Sequence, residues 1–278
     1  MSRHGEGTAA GWGVAQVAML AVAVLTIYPL YFIVITAFKT RQEYLTNQFL
    51  PPSDPTLENF RQAFRDGQLL TWVGNSVLIT VASVIVAAIV SSLAAYPLAR
   101  SRFPGRLPFI GLNIVLMVVP PVVLVVPLFL FFVNLGLVNS RLAVVIVYVG
   151  LLIPFSIYLL VNFFATIPRS LEEAARMDGA GQLRTLWSVI MPLSAPAVVT
   201  VVVVNAVWVW NELLIALVFL QDDNARTLTA GLTFFQGRFI QNEPLVMTGA
   251  LIATIPMLLL YIVGQRFFIR GLTAGFGK

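Results

Sequence analysis

The chain has 278 residues, of which 59% are hydrophobic and only 10% are charged, with a formal net charge of +5 and no cysteine. Soluble domains carry roughly 25% charged residues, so this much apolar surface must meet lipid. The arginines are scattered and form no basic stripe, which argues against a nucleic-acid partner, and the lack of cysteine excludes disulfides, thiolate catalysis and cysteine-ligated metals.

Six apolar runs are long enough to cross a membrane. About 20 apolar residues cross ~30 Å of hydrocarbon as a helix, the form that satisfies its own backbone groups in lipid. The runs lie at residues 13–38, within 69–98, within 107–133, at 142–165, at about 196–220 and at about 244–268. The first is too long for a signal peptide, so we interpret it as retained. The predicted fold class is an all-α integral membrane protein, with one six-span domain over residues 1–278.

The distribution of Lys and Arg predicts the orientation of these spans. With the N-terminus inside, the inner segments hold ten of these residues and the outer segments hold seven, and basic short loops stay in the cytoplasm. Arg100, Arg102 and Arg106 cluster between the second and third runs. We therefore expect cytoplasmic tails at 1–12 and 269–278, a cytoplasmic loop at 167–195, and outer loops at 39–68 and 221–243.

Prolines interrupt the third run, and polar side chains interrupt the fourth. Pro120, Pro121 and Pro127 indicate either a kinked gating helix or the ordinary tolerance of membrane helices for proline. The polar side chains of the fourth run fit either a transport pathway or hydrogen bonds between helices. They are Tyr148, Ser156, Tyr158 and Asn162.

The most polar stretch in the second half of the chain, residues 171–192, lies between the fourth and fifth runs. Ser170 and Glu173 have the spacing of a capping box, which predicts a helix start. Leu171, Ala174 and Ala175 then share one face of that helix. Because alanine is small, this face is flat and lets another surface approach closely.

A break and a second helix are expected in the same stretch. Gly179 supplies a turn conformation at little cost, and Asp178 is a residue type that caps a following helix. Apolar residues at helical spacing then predict a second helix that lies along the membrane edge. They are Leu183, Leu186, Trp187 and Ile190. An interfacial connector with no other role fits the same pattern.

The fifth run contains Glu212, the only acidic residue within a predicted span. Polar groups inside a membrane are costly and often functional. One interpretation places Glu212 among headgroups or beside an arginine, with the nearby tryptophans in an interfacial belt. The other places it on a transport pathway with Asn205, Trp208 and Asn211, facing Tyr148 and Asn162 of the fourth run.

Little in the chain supports catalysis. The only lysines, Lys39 and Lys278, do not sit in a Walker A loop, so ATP binding by that route is excluded. The only histidine, His4, lies in the N-terminal tail, which leaves no catalytic triad or metal cluster. We expect a non-enzyme that has no catalytic residue, bound metal or cofactor of its own.

Several stretches resemble a known family. The spacing Glu173-Ala174-Ala175-x-x-Asp178-Gly179-Ala180, followed by Ile190-x-Pro192, resembles the cytoplasmic EAA loop of ABC-importer permeases. WNELLIALVFL at 210–220, RTLTAGLTFFQG at 226–237 and QRFFIRGLTAG at 265–275 resemble the carbohydrate branch, in particular the second permease of the maltose-type heterodimer. The final Phe276-Gly277-Lys278 departs from the family pattern.

The resemblance implies specific sites. A coupling helix that docks into the ATPase would comprise Leu171, Glu173, Ala174, Ala175, Asp178, Gly179 and Ala180. The loop that reaches into the binding protein's sugar cleft would carry Phe234, Phe235, Gln236 and Gly237. On the sugar pathway, aromatic faces would cover pyranose rings while amide and carboxylate groups bond hydroxyls. That pathway would use Asn205, Trp208, Asn211, Glu212, Tyr148 and Asn162.

The expected function is therefore a multi-pass cell-membrane permease subunit of an ATP-driven, binding-protein-dependent sugar importer. Its partners would be a homologous second permease, two ATPase subunits that bind ATP and Mg, an extracytoplasmic solute-binding protein, a sugar and membrane lipid. A permease for a non-sugar solute, such as a phosphodiester or a peptide, is the nearer alternative. An ion-coupled secondary transporter fits less well, because it would need internal repeats and several buried ionisable residues.

Overall fold

The computed structural model describes the backbone of residues 9–65, 68–238 and 242–276, and the side chains of 15–65, 68–234, 236–237 and 242–262. The regular elements in these ranges are helical. They are α1 (Ala9–Ala37), α2 (Arg41–Thr46), α3 (Glu58–Arg65), α4 (Gln68–Arg100), α5 (Arg106–Val118), α6 (Pro121–Asn134), α7 (Arg141–Thr166), α8 (Arg169–Met177), α9 (Gln182–Thr185), a π turn (Leu186–Ile190), α10 (Met191–Leu193), α11 (Ala195–Asn211), α12 (Leu214–Phe219), α13 (Leu228–Arg238) and α14 (Glu243–Phe276). His4 and the last two residues of the tail lie outside the described backbone.

The helices agree with an all-α membrane fold. Four described helical stretches are long and apolar enough to cross a membrane: Ala15–Ala37, Gln68–Arg100, Arg141–Thr166 and Glu243–Ile262. Two further pairs of helices pass the same test but are bent at a short break. The number of spans is therefore four, or up to six if each bent pair is one span, so the six-span count stays a prediction.

One bent pair corresponds to the third predicted run. α5 and α6 meet at an angle of 96°. Val119 and Pro120 are extended there, with ψ of 116° and 128°, because a residue that precedes proline avoids the helical region. Pro127 lies within α6 without ending it. Of the prolines in this run, the adjacent pair therefore sets the break.

The fifth predicted run is not one continuous helix. α11 ends at Asn211, and Glu212 is extended with ψ of 123° before the short α12 begins. At the other end, α11 follows the helical stretch Gln182–Leu193 at an angle of 81°. The predicted run at about 196–220 is therefore divided between α11 and α12. The physical reason for the break at Glu212 is described with the site below.

The described chain forms two compact units, and the first draws on residues 1–67 and 234–252. Here the predicted outer loop 39–68 is folded around the end of α1. Lys39 is buried, and its Nζ donates to the carbonyls of Asn47 and Gln48 at 2.7 and 3.0 Å. Burial lowers the pKa of Lys39. Asn59 Nδ2 donates to the carbonyls of Ala37 and Lys39, so α3 is fixed to the same turn.

The second unit draws on residues 68–233 and 253–278, and α4 packs against α7 at its centre. α4 contributes a buried row of small side chains, which allows helices to approach closely in a membrane protein. The row comprises Ser76, Thr80, Ser83, Ala87, Ser91 and Ala95. Both helices begin beside Asn224, whose carbonyl accepts from Asn75 and Arg141. Both end where Arg100 donates to the carbonyl of Ile167, so α4 and α7 run parallel.

Candidate functional site

The helix predicted after the fourth run is α8, but it begins before Leu171, the first residue that follows the predicted cap Ser170. Its first residue is Arg169, and the preceding Pro168 is extended at φ −58° and ψ 134°. No side chain caps this end. The capping-box prediction was wrong, because Pro168 sets the entry and leaves Ser170 inside the first turn, where it cannot be the N-cap.

The C-terminal end of α8 agrees with the predicted break. Gly179 has φ +78°, a left-handed conformation that favours glycine. Its N–H donates to the carbonyl of Arg176, and the N–H of Ala180 donates to that of Ala175, both at 2.9 Å. These two bonds form a Schellman motif, which closes the helix. Asp178 is the C-cap of α8 and does not cap α9, whose N-cap is Gly181 without a side-chain bond.

The predicted coupling residues come together on α8 and its closing turn. Leu171, Glu173 and Ala174 are exposed, whereas Ala175 is half-buried. Asp178 and Gly179 are exposed in the turn, and Ala180 follows half-buried. Two apolar neighbours, Met177 and Leu183, were not predicted as coupling residues and are 88% and 64% exposed. The exposed surface of α8 therefore combines apolar side chains with charged ones such as Glu173.

One side chain of α8 faces the opposite way. The Glu172 carboxylate forms an ion pair with Arg100 at the end of α4, with 2.5 Å between Oε1 and Nε. Tyr96 Oη donates to the other carboxylate oxygen at 3.4 Å, and Arg100 Nη2 donates to the carbonyl of Ile167 at 2.8 Å. No local sequence pattern predicts this pair, because its residues lie 72 positions apart.

One face of the stretch that follows the turn packs inside the protein. Leu186 and Ile190 belong to the π turn, and both are buried in a cluster with Phe164 of α7 and Val201 of α11. Only Leu183 and Trp187 of the predicted stripe remain exposed. The membrane-edge prediction was therefore wrong for the buried half of the stripe, since packing against α7 and α11 takes the place of lipid.

Glu212 occupies the break between α11 and α12. Its carboxylate accepts from the N–H groups of Ile215 and Ala216, at 2.9 and 3.2 Å, and from Tyr148 Oη at 2.6 Å. A carboxylate that bonds the first N–H groups of a helix stabilises its start, which explains why the chain turns here. One expectation placed Glu212 beside an arginine. Among the described residues, its hydrogen-bond partners are instead two backbone N–H groups and the hydroxyl of Tyr148.

The other predicted pathway residues fall into two groups. Asn205 is buried, and its Nδ2 donates to Ser156 Oγ at 2.9 Å, which favours a packing role between α11 and α7. Tyr148 is also buried, with its ring edge-on to Trp208 at 5.8 Å. In contrast, Asn162 and Asn211 are exposed, and each donates to a carbonyl of its own helix. The exposed group remains available to other molecules.

The predicted outer loop 221–243 is largely ordered structure. Its first part is bound to the start of α4, where Trp72 Nε1 donates to the carbonyl of Asp223 at 2.8 Å and Asn75 Nδ2 to that of Arg226. Its second part is α13, which includes Phe234 to Gly237. Phe234, Gln236 and Gly237 are exposed, and the side chain of Phe235 lies outside the described residues.

Comparisons with known proteins agree with one another. The family model described as "Binding-protein-dependent transport system inner membrane component" matches residues 87–270. The melibiose/raffinose/stachyose import permease protein MelC of Bacillus subtilis is 34% identical over 255 residues, which cover 91% of this chain and 92% of that protein. The trehalose/maltose transport system permease protein MalG of Thermococcus litoralis is 33% identical over 92% of this chain and 93% of its own.

A solved structure extends the similarity to three dimensions. It is a chain in the crystal structure of a bacterial ABC transporter involved in the import of the acidic polysaccharide alginate. The TM-score is 0.83 at 27% identity, and the match covers 96% of this chain and 100% of that chain. The similarity thus extends over nearly the whole chain.

Proposed function

Because this chain belongs to the family of binding-protein-dependent transport system inner membrane components, we propose that it is the membrane-spanning permease subunit of an ATP-driven sugar importer. As a family member it is a transport protein and not an enzyme. The sugar assignment is supported by the relatives named above, which are described as permeases for oligosaccharides. Within such an importer, the chain forms half of a pathway that alternates between inward and outward access.

The proposed partners follow from this role. A homologous second permease supplies the other half of the pathway, and two ATPase subunits bind ATP and Mg. An extracytoplasmic solute-binding protein delivers the sugar. A similar transporter has been crystallised in complex with an alginate pentasaccharide-bound periplasmic protein, which supports the expectation of a binding protein here. The described helices that cross the membrane meet lipid on their exposed faces.

The observation that carries the proposal is the surface of α8. This short helix presents the apolar Leu171, Ala174 and Met177 outward, beside the exposed charges of Glu173 and Arg176. Exposed apolar residues beside polar ones are typical of interaction surfaces. This surface fits a cleft on another protein, so α8 with its closing turn serves as the coupling helix for the ATPase.

The remaining finer assignments are part of the same proposal. The six spans comprise α1, α4, the pair α5–α6, α7, α11 and α14, with both termini and α8 in the cytoplasm. The sugar pathway uses the exposed Asn162 and Asn211 with Trp208 and Glu212. Tyr148 and Asn205 support it from within the helix packing. Phe234, Phe235, Gln236 and Gly237 of α13 meet the binding protein.

Reconstitution tests the proposal directly. The chain should be purified with the second permease, the ATPase and the binding protein encoded by neighbouring genes, and placed in proteoliposomes. We expect uptake of an oligosaccharide that the binding protein retains, dependent on both ATP and the binding protein. Uptake driven by a proton or sodium gradient without the ATPase would refute it, and selective uptake of a peptide or phosphodiester would refute the sugar assignment alone.

A further inference from the structure

The ion pair between Glu172 and Arg100 is a costly way to attach a helix. Their side chains are only 7% and 6% exposed, so both charges have left water. Replacing a buried ion pair by apolar residues of similar volume is often neutral or stabilising. Apolar side chains could therefore attach α8 to α4 equally well. The ion pair must have an effect that apolar packing does not provide.

A buried charge pair adds a penalty for separation. Moving the partners apart leaves an uncompensated charge in the interior, which is strongly destabilising. The Arg100 guanidinium makes two contacts. It forms the ion pair with Glu172, and it donates to the carbonyl of Ile167 at the end of α7. One side chain thus connects three helices.

Close packing joins α4 to the π turn, since Ala95 and Tyr96 share a buried cluster with Leu186 and Ile190. Beside the ion pair the packing is less complete, because a cavity of about 150 Å³ is lined by Arg100, Arg176 and Leu183 among others. The outward surface of α8, with Leu171 and Ala174, lies on the other side of the helix from Glu172. Glu172 therefore gives α8 a connection of its own to α4, through Arg100 and Tyr96.

We propose that Glu172 and Arg100 are positioning residues that make α8, the end of α4 and the end of α7 move as one body. When the ATPase displaces α8, the ion pair transmits that displacement to the membrane helices. This inference rests on the proposed function, since it assigns to two residues the transfer of motion from the ATPase to the membrane helices.

The test compares neutral variants of the reconstituted importer. In Glu172→Gln and Arg100→Gln, we expect ATP hydrolysis to continue while the solute imported per ATP hydrolysed falls about fivefold or more, the range typical of coupling between sites. Because the ratio is taken per ATP, a smaller amount of folded complex does not alter it. Arg102→Gln is the matched control, since Arg102 is exposed two residues away, and its ratio should remain that of the wild type.

A covalent link in place of the ion pair provides a second test, in case the neutral variants fail to assemble. Since the chain has no cysteine, Glu172→Cys with Arg100→Cys can be bridged by a short bifunctional thiol reagent. We expect bridging to raise the ratio of the double variant at least halfway to the wild-type value. An unchanged ratio in the assembled neutral variants, or no gain on bridging, would overturn the inference and leave the proposed function intact. Failure of the wild-type chain to import with its partners would instead overturn both.

Discussion

Gly231 of α13 lies against the indole ring of Trp72 in α4, so close that a Cβ on this glycine would come within 2.2 Å of a ring atom. The ring cannot readily move aside, because Trp72 is buried and its Nε1 is bonded to the carbonyl of Asp223. The contact fixes α13 to the start of α4 without any side chain from the glycine.

Gly231→Ala should therefore destabilise the protein. Overpacking of a filled site costs about 1–3 kcal/mol, and a clash with a bonded ring lies toward the upper end. Thermal unfolding in detergent measures the effect. Gly74→Ala on α4 is the matched control, since a Cβ there meets nothing within 4 Å and the variant should be at least as stable as the wild type. Equal melting of both variants would contradict the described contact.

Ala175→Glu should uncouple the importer while the chain still inserts into the membrane. A bulky charge in a docked surface must be desolvated, whereas the membrane helices pack independently of α8. We expect loss of ATPase binding or hydrolysis without transport, and Ala175→Ser should retain coupling. A single cysteine at Ala175 should also crosslink to a cysteine in the ATPase cleft, with a yield that changes on ATP binding. Normal transport by Ala175→Glu together with no crosslink would reduce α8 to a connector.

Gly179→Pro should have a similar effect through the backbone. Proline holds φ near about −65° and has no N–H, so it cannot adopt the observed left-handed turn or donate to the carbonyl of Arg176. Transport should fall sharply while expression of the chain persists. Gly179→Asn is the informative comparison, because asparagine tolerates this conformation and should retain most activity. If both variants transport equally, the turn geometry does not matter for coupling.

Labelling of single cysteines tests the orientation. Ser101 and Gly181 are exposed, and Arg100 joins the helices beside them at one end of the second unit. We expect Ser101→Cys and Gly181→Cys to resist membrane-impermeant maleimides in intact cells and to react after permeabilisation. Asp222→Cys, exposed near the opposite ends of α4 and α7, should react in intact cells. The reverse labelling pattern would show that the topology is opposite to the predicted one. α8 would then lie outside the cytoplasm, where it could not bind the ATPase.

Phe234→Asp tests the proposed contact with the binding protein. The side chain is 46% exposed on α13, so another protein can reach it, and a charge there should disrupt an apolar contact. Transport should fall about tenfold or more, with the ATPase still bound, as measured by uptake and by co-purification. Thr233→Asp is the neighbouring control on the same exposed turn. Transport unchanged by Phe234→Asp would indicate that α13 serves only its own packing.

Apolar length and glycine or proline chemistry made much of the fold predictable. The six runs overlap the long helices and the pair α5–α6, Pro120 and Pro121 mark a break, and Gly179 marks the end of α8. The first arm of the other bent pair, Gln182–Leu193, lies outside every run. These features depend on residues within one or two turns of each other. The helix start at Pro168 was mispredicted because two local signals competed, and the proline prevailed.

Contacts between distant residues were not predictable in the same way. A lone Glu212 in an apolar run gives no indication that it will bond Tyr148 and start another helix. Likewise, the amphipathic spacing of Leu186 and Ile190 is the same for a helix that packs on lipid and for one that packs on protein, so it does not predict which of the two buries them. Only the arrangement of α4, α7 and α11 distinguishes these outcomes, and a single sequence carries no record of that arrangement.

The support beneath α8 also bears on how the subunit is made. Arg100 belongs to a helix synthesised well before α8, whereas the buried cluster around Leu186 requires Val201 of α11, which is synthesised after it. The surface around α8 and its turn is therefore complete only once most of the chain has left the ribosome and entered the bilayer. A subunit truncated before α11 would lack Val201, and with it part of the packing that supports the segment after α8.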